Sequence, residues 1–520
     1  MGSSSRFAAF ISLSLCLACI SSAGPVLRDQ IVLPSSDLKD TVSSVVFDGT
    51  TYGNKGLVAF GFIPHDFKDS TGDTVGGIGS AIALKHGSWK RTNSSAFSGT
   101  FIVHPDRGYN VVQPIDYQSR HHEVDFNFFP YSGSAPLSFE GAQKTFQPKY
   151  VKTVLKVERD NKNTTGLDAL SVRAAQKGFD DPNNPQADPA LPVSSTQPDR
   201  LTLDVEGIVA NPDGSFWISE EYGPYIYLFS ADGHLLQSLQ PPEAILPLDS
   251  SGKYQFTSLT DPATGRRGNH GFESLTMDPT NQILYAMLQS ATIQDGGDKG
   301  KTSRNTRLLA YDIHNPNVRP ELVGEWIVPL PLDDDGKAID CNEMHFVSPG
   351  VFLILTRDGD GRGGDKDASS YKHFDLFSIA KATDIHGSKY DSPDNSILKK
   401  KELVKDITPA EYVSFIDFIA EDQLARFGLH NGLPSDNTAI DAKWESLALI
   451  PVGPEQPDDY FLFTFADNDF KTTNGFSAGA GGAYNAGIDV DNQVLVYQVT
   501  VPGVPKDALC EHLGIVASDC

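Results

Sequence analysis

The sequence predicts an all-β chain folded as a β-propeller, six-bladed with seven as the alternative count, and carrying one short helical insertion. Three observations predict it. Short runs rich in β-branched and aromatic residues recur between turn residues. Four segments repeat one plan, each opening on a Glu. Helical periodicity is scarce.

The strand runs lie at residues 101–103, 216–218, 283–285, 351–355, 460–465 and 494–499. Asn211-Pro212-Asp213-Gly214, Asp278-Pro279-Thr280-Asn281 and Ser348-Pro349-Gly350 supply turns beside them. The repeats open at Glu206-Gly207-Ile208, Glu273-Ser274-Leu275, Glu343-Met344-His345 and Glu445-Ser446-Leu447. Each passes through a turn into an apolar strand, and outer strands follow at 225–229, 307–311, 374–377 and 494–497. Upstream, 79–84 with 100–103 reads as a further blade lacking the Glu, and 45–62 supplies another, which makes six. The long step from Glu343 to Glu445 is assigned to a helical insertion at 409–427. Residues 180–198, rich in Pro, Asp and Asn, read as a long surface loop. The expected division is a signal peptide over 1–23, N-terminal strands over 24–75 that pack on or complete the propeller, the propeller over 76–500, and a tail over 501–520.

The net charge is −25, from 67 Asp and Glu against 42 Lys and Arg. Such a chain is repelled by nucleic acid and by anionic membrane surfaces, so neither is expected as a partner. With 39% hydrophobic and 21% charged residues it can bury a large core. Arg6, the apolar run 7–20 and Ser21-Ser22-Ala23 read as a secretory signal, and we expect a secreted, extracellular monomer. Cys16 and Cys19 leave with the signal. Cys510 and Cys520 are expected to staple the tail, and Cys341, in an apolar setting, to be a buried thiol. Asn93-Ser94-Ser95 and Asn163-Thr164-Thr165 are glycosylation sequons at Asn93 and Asn163.

In a propeller the innermost strand of each blade lines the channel, and the second returns to the face where the first began. Glu206, Glu273, Glu343 and Glu445 should therefore ring one channel mouth. Glu220, Glu221, Arg357, Asp358, Asp467 and Asp469, each just after a second strand, arrive on the same face, with His104, Asp106 and Arg107 from the earlier blade. Crowded carboxylates need counter-charge. A hard divalent cation bound through oxygens, calcium first, supplies it. The bland alternative is that each Glu accepts backbone N–H bonds and pins its blade. The Asp–Gly run at 358–367 could also wrap calcium, but Arg362 and Ser369 break the EF-hand pattern. Gly475-Phe476-Ser477-Ala478-Gly479 matches a serine nucleophile elbow, but a Gly/Ala/Asn loop follows where a helix is needed. No P-loop, dinucleotide fingerprint or HExxH is present.

Three stretches carry a family resemblance. Asp204-Val205-Glu206-Gly207-Ile208 followed by Trp217-Ile218-Ser219-Glu220-Glu221-Tyr222-Gly223-Pro224, then Arg267-Gly268-Asn269-His270-Gly271-Phe272-Glu273-Ser274, and Phe101-Ile102-Val103-His104-Pro105-Asp106-Arg107-Gly108, resemble the phytase-like family of secreted and periplasmic proteins. The resemblance runs over about residues 76–499 and is closest in style to fungal members. Ser274 stands where that family often has Gly. The resemblance implies a propeller, hydrolysis of phosphomonoesters such as phytate, and a divalent metal; it brings no catalytic list. The residues themselves allow a metal-assisted mechanism. Glu206, Glu221 and Glu273 are then the catalytic candidates, and Glu206, Glu273, Glu343, Glu445 and Asp467 the metal candidates. Arg107, Arg200, Arg267 and His104 would contact a small phosphorylated substrate. The alternatives are a propeller that binds a ligand without turnover or acts on another substrate, with calcium as a structural ion, and a serine esterase using Ser477.

Overall fold

The computed structural model describes residues 41–93, 95–110, 112–176, 187–195, 199–297 and 302–520. The signal segment 1–23 and most of the loop expected at 180–198 lie outside them. The apolar strands alternate with period two, yet both faces are buried. In Gln456–Asp467, Phe461, Phe463 and Phe465 point into one core while Tyr460, Leu462 and Ala466 point into another. In Asn492–Thr500, Val494 and Val496 join the first of these cores and Leu495, Tyr497 and Val499 the second. A sheet packed between two neighbours has no solvated face, so its strands read as continuous apolar runs. Each fully buried side chain of this size contributes roughly 1.5–3 kcal/mol.

Five antiparallel sheets result, and they are the blades of a β-propeller. The first runs Ala81–Leu84, Ala96–His104, Arg120–Phe128 and Phe146–Leu155 from channel to rim, with Lys90–Asn93 paired alongside. The second runs Val205–Ala210, Phe216–Glu220, Ile226–Phe229 and Leu235–Leu239. The third runs Phe272–Asp278, Ile283–Leu288, Asn305–Asp312 and Glu321–Pro329, and the fourth Cys341–Ser348, Val351–Arg357, Lys372–Ser378 and Glu411–Asp417. The fifth begins with Lys443–Trp444 and Ala448–Gly453, both on Gln456–Asp467, and continues through Asn492–Thr500. It is finished by Thr50–Ile63 and Ser43–Phe47 from the other end of the chain. Inner strands of successive blades pack on one another, and the fifth returns to the first.

The count is five, not six or seven. Residues 45–62 form no blade of their own: Thr50–Ile63 pairs with Asn492–Thr500 from Gly53 opposite Thr500 to Ile63 opposite Asn492. A closed ring needs every sheet edge paired or covered, and joining the two chain ends does that for the fifth blade. The helical insertion is also revised. Glu411–Asp417 is the outer strand of the fourth blade, and only Glu421–Ala425 is helical. Tyr412, Val413, Phe415 and Ile416 are aromatic and β-branched, which suits a strand.

The far end of the channel is covered by the C-terminal helix Lys506–Leu513. Its Leu509, His512 and Leu513 close on Ala210, Met277, Met344 and Leu449 from the inner strands. Cys510 and Cys520 are joined in a disulfide that pins the tail to this helix. Cys341 is a free, buried thiol.

Leu57 lies on the closing strand, fully buried against the fourth and fifth blades. Leu57→Ala should cost about 2–5 kcal/mol in chemical denaturation. A change under about 1 kcal/mol would mean that the closing strand adds little to the ring.

Candidate functional site

The inner strands of the second to fifth blades are broken where they leave the channel mouth. Val205 pairs with Glu220 and Gly207 with Ser219, so Glu206 is skipped. Glu273 is skipped between Phe272 and Ser274, and Asn342 between Cys341 and Glu343. In the fifth blade Trp444 pairs with Ala466, and the Glu445 N–H donates to the Phe465 carbonyl. These are β-bulges, which take a residue out of the alternation of faces and re-aim its side chain. Glu206, Glu273 and Glu445 meet at the mouth and act on one another electrostatically. The fourth repeat is shifted by one residue from the expected alignment. Asn342 holds the repeated place and donates to Glu273 Oε1 at 3.4 Å. Glu343 re-enters the ladder, where its carboxylate accepts from the Leu275 and Met344 N–H groups at 3.0 and 2.8 Å. It ties the third inner strand to the fourth, and burial raises its pKa well above the usual range.

Two further positions recur around each bulge. Two residues before it stand Asp204, Gly271, Asp340 and Lys443. Opposite them, past the second strand, stand Glu221, Gln289, Arg357 and Asp467. The Glu221 N–H donates to the Asp204 carbonyl, the Gln289 N–H to the Gly271 carbonyl, and Lys443 pairs with Asp467. Gly271 must be glycine, since a Cβ there would lie 2.3 Å from Glu221 Cα.

Asp204, Glu206 and Glu221, all buried, each offer an oxygen within 4.8 Å of the others, an arrangement able to hold a metal ion. Neither Asp204 oxygen accepts a hydrogen bond, although Arg107 Nη1 lies 3.0 Å from one of them. Glu221 Oε1 accepts from the Gly271 N–H at 3.3 Å. Glu273 Oε1 accepts from Gln289 Nε2 at 2.9 Å, while its Oε2 has no partner. Burial, then the carboxylates around them, raises Glu206 and Glu273 well above the usual range. Burial and then Asp204 push Glu221 up to about 7. Buried oxygens left without protons to accept, in an all-carboxylate set, fit a hard divalent cation such as calcium. Across the mouth the acids have cations of their own. Arg357 pairs with Glu445, and Lys443 Nζ bonds Asp467 and, at 2.8 Å, Asp469.

The remaining predicted residues are spread around this centre. Arg107 is inside it, bonded to Ser258 Oγ at 3.0 Å. Arg200 pairs with Asp116 at 2.7 Å, and half-buried Arg267 bridges to His270. His104 lies wholly buried, its Nδ1 on the Pro105 carbonyl, and burial with nearby Lys156 keeps it neutral. Asp106 contributes a further buried carboxyl, raised by burial, Asp467 and Asp204. Glu220 accepts from the Tyr222, Gly223 and Tyr225 N–H groups and builds its own turn. The 358–367 run is filled by Lys372, whose Nζ donates to the Asp360 and Ala442 carbonyls at 2.8 and 2.6 Å. Ser477 ends a strand, Gly475–Ser477, that returns at once into Gly482–Tyr484, so the helix of a nucleophile elbow is absent there. Asn93 and Asn163 are exposed. Asp204, Asn342 and Lys443 were not among the predicted site residues. The spacing Asp204-Val205-Glu206 against Lys443-Trp444-Glu445 was the signal that could have found two of them.

Fold and mouth together define a five-bladed propeller with a buried acidic site at one end of its channel. The chain belongs to the phytase-like family, described as esterase-like activity of phytase, which it matches over residues 87–470. It is 35% identical over 470 residues to an uncharacterized secreted protein of Arthroderma benhamiae, covering 82% of this chain and 89% of that one. Among solved structures it is similar to a chain from the Saccharomyces cerevisiae assembly of Dbp5 with Nup159, Gle1, IP6 and ADP. That match has 9% identity over 86% of this chain and 96% of the other, at a TM-score of 0.27. It is similar also to Kuenenia stuttgartiensis hydrazine synthase, at 10% identity over 76% and 78% with a TM-score of 0.28. At such TM-scores neither structure bears on this chain's chemistry. Among the described residues no helix is long and apolar enough to cross a membrane.

A carboxyl whose pKa is higher in the folded than in the unfolded chain contributes stability below the unfolded value and loses it as pH rises through the folded one. Glu221, with Glu206 and Glu273 raised beside it, makes the metal-free chain less stable as pH rises through about 7. Calcium should accordingly raise Tm more at about pH 8 than at about pH 5, read by differential scanning fluorimetry. Equal shifts at the two pH values would argue against binding through these carboxylates.

Proposed function

We propose that this chain is a secreted phosphoric-ester hydrolase that acts on phosphomonoesters such as phytate at the acidic mouth, assisted by one divalent cation, with calcium the first choice. The observation that carries the reading is the meeting of Asp204, Glu206 and Glu221 oxygens within 4.8 Å in a buried setting. Membership of the phytase-like family supports the hydrolase class, and the secreted relative supports export. A cation bound there would neutralise the crowded acids and draw the substrate's phosphate to them. Without one, a chain of net charge −25 repels a polyphosphate.

The chain's own residues do the rest. Asp204, Glu206 and Glu221 would hold the cation, with Glu445 and Asp467 extending the acidic wall. Arg107, Arg200 and Arg267 offer forked donors to phosphoryl oxygens. Glu273 takes the proton of the attacking water at Oε2, while Gln289 and Asn342 hold its other oxygen and fix its direction. His104, buried and neutral, supports the floor of the site. Exposed Asn93 and Asn163 are the glycan acceptors. The competing reading, a propeller that binds its ligand without turnover and keeps calcium as a structural ion, draws on the engagement of Arg107 by Asp204 and of Arg357 by Glu445.

Purified chain should release phosphate from phytate and from a chromogenic phosphomonoester, lose that activity to a chelator and regain it with calcium. Glu273→Gln should slow release by roughly a hundred- to ten-thousandfold. Ser477→Ala should leave it unchanged; loss there would revive the serine esterase. No release from metal-replete chain would discard the hydrolase in favour of the binding propeller.

A further inference from the structure

The mouth carries the same three-position set twice. In the second blade it is Asp204, Glu206 and Glu221; in the fifth it is Lys443, Glu445 and Asp467. The equivalence is one of backbone register. Asp204 and Lys443 each stand two residues before the bulge. Glu221 and Asp467 stand opposite them, the first through its N–H on the Asp204 carbonyl and the second as the ladder partner of Lys443. The third blade has Gly271, Glu273 and Gln289, and the fourth Asp340, Asn342 and Arg357, so neither reproduces the acidic triad. The two related sets differ at two places: lysine stands for Asp204, and the shorter acid Asp467 for Glu221.

That lysine sits where a cation would. Lys443 Nζ bonds Asp467 Oδ2, lies 2.8 Å from Asp469 Oδ1 and 3.5 Å from Glu445 Oε1, and its side chain keeps 27% exposure toward the mouth. Lys471 holds the other side of Asp469. In the second blade the corresponding oxygens have no ammonium. Both Asp204 oxygens, nearly fully buried, accept no hydrogen bond, and Arg107 reaches only one of them from below. Glu445 Oε2, also buried, accepts no hydrogen bond, while Arg357 and Lys443 both lie against its Oε1.

We propose that the Lys443 ammonium is a built-in substitute for a second divalent cation, so that the mouth takes one metal ion on the Asp204 side and presents a fixed ammonium on the other. The inference rests on the metal-assisted reading above. One ion and one ammonium carry less charge than two ions, and the mouth then grips a phosphoryl group through two unlike cations. Only the metal is removable by a chelator. The ammonium has no vacant coordination site and so is no Lewis acid, but it is a hydrogen-bond donor, which a bare ion is not.

Calcium stoichiometry of the whole purified chain, stripped by chelator and titrated calorimetrically with calcium chloride, tests this separately from activity. Glu206→Gln should lose one bound ion relative to wild type. Lys443→Met should gain one, because Asp467 loses its ammonium while Glu445 Oε2 and Asp469 Oδ1, which Arg357 and Lys471 do not hold, stand beside it. Asp469→Asn, made with Lys443 in place, should change the count by none, and this arm decides alone if Lys443→Met does not fold. No gain in folded Lys443→Met, or loss of an ion in Asp469→Asn, overturns the proposal while leaving the hydrolase reading standing. No loss in Glu206→Gln removes the metal assignment on which both rest.

Discussion

Everything at the mouth follows from one constraint: carboxylates brought together out of water cannot all carry charge. The five blades converge on the channel axis, and each bulge that turns an acid inward adds to the crowd. Glu206 and Glu273 both feel this repulsion from Glu221 and Glu445, and Glu206 from Asp204 as well. The chain relieves it unevenly. Arg357 and Lys443 pair directly with acids of the fifth blade, whereas on the second-blade side Arg107 pairs with Asp204 and Arg266 acts electrostatically on Glu221. Buried ion pairs cost desolvation that their attraction only partly offsets, so such an arrangement is better explained by a role at the site than by stability.

Much of this was legible in the sequence, and the limits are physical. The recurring Glu marked the second, third and fifth blades because the break in each inner strand falls on it. The propeller followed from recurring short strands in segments that each open on a Glu. The blade count failed because residues 45–62 carry the same β-branched alternation as any blade strand. Only long-range pairing with Asn492–Thr500 reveals that they belong to a blade begun at the other end. The helix expected at 409–427 failed because the acidic start of a helix and the polar end of an edge strand look alike in composition.

At the site, identity was easier to read than register. Glu343 looked like the fourth member of the ring because it is a Glu at nearly the right spacing. The ladder places the bulge one residue earlier, on Asn342, which composition alone would not select. Lys443 escaped notice for the opposite reason: a lysine among acids reads as a surface counter-charge until the backbone puts it in line with Asp204.

The joining of both chain ends in the fifth blade also orders events in time. Thr50–Ile63 is among the first strands to emerge during synthesis, and its partner Asn492–Thr500 among the last. The ring therefore stays open until nearly the whole chain exists, and its closing contacts span the greatest sequence separation in the molecule. Pairing over such distances is slow. Until Asn492–Thr500 has been made, Thr50–Ile63 has no partner in the fifth blade and the ring cannot lock.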